Sequence, residues 1–83
     1  MNDTIEDLIY SLNYIDSMLH YNNQEAKLLI HSPLNNLNRI NRLYSDNHKL
    51  IILKKEILQN DKLKYFDEYE IKDLQIKYDK KIN

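Results

Sequence analysis

The chain has no cysteine, no glycine, no tryptophan and a single proline. Without cysteine it can form neither a disulfide framework nor a thiolate metal site. Without glycine it cannot build the phosphate-cradling loops of nucleotide-binding proteins, which need backbone positions that a Cβ would block. Any residue at positive φ must then be Asn or Asp, the next most tolerant types. That makes Asn22-Asn23, Asp46-Asn47 and Asn60-Asp61 the expected breaks between elements. Long apolar runs are missing too. The longest, Leu50-Ile51-Ile52-Leu53, has four residues, against about 20 for a bilayer span.

Neither sign of charge dominates, and the net charge is −1. Residues 1–46 carry three basic and six acidic side chains, and residues 47–83 carry nine and seven. No polybasic arm exists, so nonspecific binding to nucleic acid or to an anionic membrane is not favoured. The N-terminus lacks a basic stretch followed by an apolar one, so the expected location is intracellular, in the cytoplasm, rather than secreted. What the chain has in plenty is Ile, Asn, Lys and Tyr, which make up 39 of its 83 residues. Their codons are AT-rich. The bias points to an AT-rich genome such as that of a virus or phage, and to some Asn and Lys residues fixed by drift.

A chain of 83 residues is near the lower limit at which one core holds alone. A single helical domain over residues 1–83 is expected. Its stability calls for a partner or self-association, or else for unusually good packing. The expected fold is all-α, a compact bundle of four to five short helices. Asp3 or Thr4 can cap the first, with Glu6 and Asp7 three residues on. Ile5, Leu8, Leu12, Ile15 and Leu19 then recur at steps of three and four, as an apolar seam does. That helix should end near Asn22, and a second should run from Gln24 to His31. Ser32-Pro33 reads as an N-cap followed by proline at the first helical position. The third helix would turn Leu34, Leu37, Ile40 and Tyr44 to one side. A fourth, capped by Asn47, would gather Leu50, Leu53, Ile57 and Leu58. Residues 62–82 fit two periods. Ile71, Leu74, Tyr78 and Ile82 suit a helix, whereas Leu63, Tyr65, Tyr69 and Ile71 alternate as strand residues do. The α+β alternative, with residues 62–82 as a β-hairpin, therefore stays open.

Tyr10, Tyr14 and Tyr21 lie nearly opposite the apolar seam at 100° per residue. Tyr presents a large contact area with a polar tip and is enriched at interfaces. The stripe is thus a candidate protein-binding face. A second core face, or tyrosines left by codon bias, would look the same in sequence. Residues 24–44 loosely match a helix-turn-helix, whose second helix would display Asn35, Asn38, Arg39 and Arg42 to a major groove. Against this, the customary turn glycine is His31, and the surrounding half of the chain is acidic. His20, His31 and His48 have no metal-ligand spacing. The acidic group Asp67, Glu68 and Glu70 could do acid–base work only if one carboxylate were desolvated, and surface ion pairing is the simpler reading. No metal, cofactor or catalytic residue is expected. The reading is a non-catalytic interaction module, a small inhibitor, adaptor or accessory subunit. It would dock a Tyr-rich helix face on a larger protein partner or form a homo-oligomer. The alternative is a DNA-binding regulator using residues 33–44.

Overall fold

A computed structural model describes residues 4–79 and shows three helices: α1 (Ile5–Leu29), α2 (Pro33–Leu58) and α3 (Glu68–Asp79). No strand occurs among the described residues. The fold is all-α as expected, but with three helices where four to five short ones were expected.

The first helix starts where its sequence says. Thr4 Oγ1 accepts from the Asp7 amide and Asp7 Oδ2 accepts from the Thr4 amide, both at 3.1 Å. This reciprocal pair satisfies two of the orphan donors at a helix start. Its hydrogen bonds hold the Asp7 carboxyl below the ordinary aspartate range. Asp3, the other candidate cap, lies outside the described residues. The expected ends near Asn22 and at Asp46-Asn47 do not occur. The reason is that these asparagines face each other across the helix pair. Asn22 Nδ2 donates to Asn47 Oδ1 and Asn47 Nδ2 donates to Asn23 Oδ1, each at 2.9 Å. Asn22 and Asn47 are buried. An amide that finds a partner across the interface no longer competes for its own backbone, so both helices run on.

The break at Ser32-Pro33 is real, with Pro33 at the helix start. Ser32 occupies the capping position but its side chain makes no capping bond. Its backbone carbonyl instead accepts from Asn36 Nδ2 at 3.0 Å. The break at Asn60-Asp61 is also real. Asn60 Oδ1 accepts from the Lys62 amide at 3.0 Å, closing an Asx turn. No described residue has positive φ, so the turns close without glycine.

The hairpin alternative for residues 62–82 is overturned. Asp67 Oδ1 accepts from the Glu70 amide at 2.8 Å and Glu70 Oε1 accepts from the Asp67 amide at 3.1 Å. This second capping box starts α3, and it accounts for two of the three clustered acidic residues. Ile71, Leu74 and Tyr78 then fall at helical spacing and pack into the core, while Ile82 lies outside the described residues. Asp67→Ala should cost about 0.5–2 kcal/mol, read from the urea midpoint, with the loss of helix signal confined to about one α3's worth.

Helices α1 and α2 run antiparallel. Their cross-links step down one helix as they step up the other: Glu25 with Arg39, Asn22 with Asn47, Asp16 with Lys54. Helix α3 also packs on α1, and among the described residues α2 and α3 have no backbone contact. The core lies in the N-terminal half of α1, where Leu8, Ile9 and Leu12 meet Leu63 and Ile71. The seam is structural: Leu8, Leu12 and Ile15 are buried, and Ile5 and Leu19 partly so. The expected apolar side of α2 is corrected. Ile40 is buried, but Leu34, Leu37 and Tyr44 are exposed. The outer part of this helix therefore carries an apolar stripe that nothing within the described chain covers.

Candidate protein-interaction surface

The three tyrosines share one face of α1, but they are not equivalent. Tyr10 is partly buried. Its hydroxyl donates to Glu6 Oε1 at 2.9 Å, and its ring meets Tyr78 edge-on with centroids 6.2 Å apart. It belongs to the protein's own α1–α3 contact. Tyr14 and Tyr21 are 64% and 62% exposed. Leu28, seven residues beyond Tyr21, continues the line at 73%. The exposed stripe is thus Tyr14, Tyr21 and Leu28, spanning about 21 Å at 1.5 Å per residue. In sequence the expected helix end near Asn22 puts Leu28 in a separate helix and off this line.

A groove of about 450 Å³ meets this stripe at Tyr14. Tyr10, Ser11, Tyr14 and Ile15 of α1 line it with Leu50, Leu53 and Ile57 of α2. All but Ser11 are apolar or aromatic. Leu53 remains 48% exposed, so the groove is open along the α2 side. An apolar channel between two antiparallel helices, edged by tyrosine, has the shape that accepts the apolar face of a third helix.

The polar recess between α1 and α3 is of similar size, about 480 Å³, and its Asn13, Asp16 and Gln75 are already engaged, while Ser17, His20, Lys72 and Asp79 also line it. Asp16 accepts from Lys54 Nζ at 2.6 Å and from Gln75 Nε2 at 2.7 Å, and Asn13 Nδ2 donates to the Gln75 carbonyl at 3.2 Å. These bonds hold the three helices together at one level. Asn38, Arg39 and Arg42 are exposed on α2, and the side chain of Asn35 lies outside the described residues. Arg39 is engaged by the Glu25 carboxylate of α1. The helices flanking Ser32-Pro33 run antiparallel along their length, whereas the two helices of a helix-turn-helix cross at about 90–120°. The histidines His20, His31 and His48 are exposed. No group of three His, Cys, Asp or Glu that could hold a metal occurs among the described residues. Nor is any helix among them long and apolar enough to cross a membrane.

No family model matches the chain, and no curated protein or solved structure is significantly similar to it. The functional reading therefore rests on the surface itself.

Proposed function

We propose that this chain is a non-catalytic protein-interaction module, an inhibitor, adaptor or accessory subunit. It would receive an amphipathic helix of a protein partner along the α1/α2 groove. The observation that carries the reading is the exposure of Tyr14 and Tyr21 on a helix whose other face already supplies the core. A folded chain gains nothing for its own stability from two large aromatics held in solvent. Against a partner, each can bury much of a ring and still offer its hydroxyl to a polar rim. Leu50, Leu53 and Ile57 supply the apolar floor. The partner's anchors would be apolar side chains at positions i, i+3 or i+4, and i+7 of a helix.

The test is a Tyr14→Ser/Tyr21→Ser double variant. Both positions are exposed, so circular dichroism and the melting temperature should stay close to those of the wild type. Affinity capture with the intact protein, followed by mass spectrometry, should recover a protein partner that the double variant loses, because central aromatic anchors are each worth about 2 kcal/mol or more of binding. A parallel capture after nuclease treatment separates protein from nucleic acid. Loss of every captured component on nuclease treatment would replace this reading with the DNA-binding one.

A further inference from the structure

The second helix carries an exposed stripe of its own, on a face distinct from the tyrosine stripe of α1. Leu37, Tyr44 and Ile51 recur every seven residues and are 57%, 52% and 43% exposed. Seven residues make two turns less about 20°, so the three share one side of the helix. Asn41 and His48 fill the intervening positions, and no Lys, Arg, Asp or Glu falls on the line between Leu37 and Ile51. Depletion of charge at the centre with a neutral polar residue among apolar ones is the pattern of an interface core. Helix α3 does not cover this region, having no backbone contact with α2 among the described residues. Where α3 is missing, the hairpin is only two helices deep, too thin to enclose a core on both sides.

We propose that the chain forms a two-fold antiparallel dimer by laying the Leu37/Tyr44/Ile51 stripe of α2 against the same stripe of a second copy. Two observations select a second copy as the occupant. The first is symmetry. A two-fold interface requires that residue i meet residue j and j meet i. With Tyr44 on the axis, Leu37 of one chain faces Ile51 of the other at both ends, seven positions away in each direction. The stripe is complementary to itself and to its own reverse. The second is area. Leu34, 97% exposed and one turn before Leu37, extends the stripe towards the hairpin tip. The four residues together leave about two and a half residues' worth of surface in solvent, at most roughly 500 Å² even at the 200 Å² of an aromatic side chain. That is in the upper part of the range for the largest patch on a monomer, about 300–600 Å². It is also more than half of the roughly 800 Å² that each side of a standard interface buries. Asn41, His48 and the stems of flanking lysines supply the remainder. Two hairpins joined this way complete a four-helix layer where each copy alone has two helices.

The intact chain should therefore sediment as a concentration-dependent dimer. Tyr44→Glu and Leu37→Glu, each at a half-exposed position, should keep the wild-type helix signal and weaken dimerisation at least about thirtyfold. Orientation is read by cross-linking, since the natural chain has no cysteine. Leu37→Cys chains mixed with Ile51→Cys chains should form a disulfide-linked pair in oxidised glutathione, and neither variant alone should do so to a comparable extent. A wild type that stays monomeric up to near-millimolar concentration overturns the proposal. So do glutamate variants that dimerise as the wild type does, or Leu37→Cys chains that cross-link to one another as readily as to Ile51→Cys chains. None of these results bears on capture of a partner in the α1/α2 groove, because Leu37, Tyr44 and Ile51 are not among the residues that line it.

Discussion

Truncation of Leu12 to alanine is expected to cost about 2–5 kcal/mol, from lost burial and the cavity left behind. Leu12 is fully buried and sits in the cluster of Leu8, Ile9, Leu63 and Ile71. That cluster joins residues of α1, of the 59–67 connection and of α3. Collapse into the space would have to shift packed elements. Domains are stable by only about 5–15 kcal/mol, and small ones lie at the low end. Leu12→Ala should accordingly lower the urea midpoint by a large fraction, or leave the chain partly unfolded in water. A midpoint equal to the wild type would mean that this seam does not face the core.

The second large effect is expected at Asn47, the middle member of the Asn22–Asn47–Asn23 ladder. Asn47→Leu leaves the buried Asn22 amide without its acceptor, a desolvation penalty of about 1–3 kcal/mol. Asn22→Leu/Asn47→Leu removes both polar partners and should recover most of that loss. The difference between the double variant and the sum of the singles measures the pair. If the double variant is no more stable than Asn47→Leu alone, the ladder contributes through shape and not through hydrogen bonding. A recovered double variant has a further signature. Apolar pairs tolerate sliding where an amide pair does not, so its α1–α2 register should be less sharply defined in side-chain NMR.

These same asparagines explain why the helix count was misread. In a chain without glycine, Asn is the residue available for a turn, and Asn60 serves as one. Asn22, Asn23 and Asn47 have the same identity and a different use, because a partner waits for them across the interface. One sequence carries no record of which asparagines will meet. The seam of α1 was legible because its spacing is local. Ile9 and Asn13 were not included, because the seam was read as a narrow face with one neighbour. With α2 on one side and α3 on the other, the buried arc of α1 is wider than a single seam. The ambiguity over residues 62–82 had a local answer in Asp67 and Glu70, whose spacing is that of a capping box. With Glu68 between them, the same residues also read as an acidic cluster. At the surface, the tyrosine stripe was legible as a direction on a helix. That Tyr10 is committed to Tyr78, 68 residues away, was not, and neither was the extension to Leu28.

The arrangement of α2 and α3, each with its backbone against α1 and neither against the other, also divides the molecule in time. Release of α3 breaks the Asn13 and Asp16 bonds to Gln75 and leaves the Asn22–Asn47–Asn23 ladder in place. Helix α3 has 12 described residues, at the lower edge of the about 12–15 below which an isolated helix is marginal in water, so release from α1 favours its melting. The α1–α2 hairpin keeps its own ladder when that happens. Amide protons of α3 therefore exchange through a partial opening of low free energy, while those at the centre of α1 wait for global unfolding. Loss of α3 would take Ile71, Leu74 and Tyr78 away from the cluster that holds Ile9, and so turn part of the core into surface.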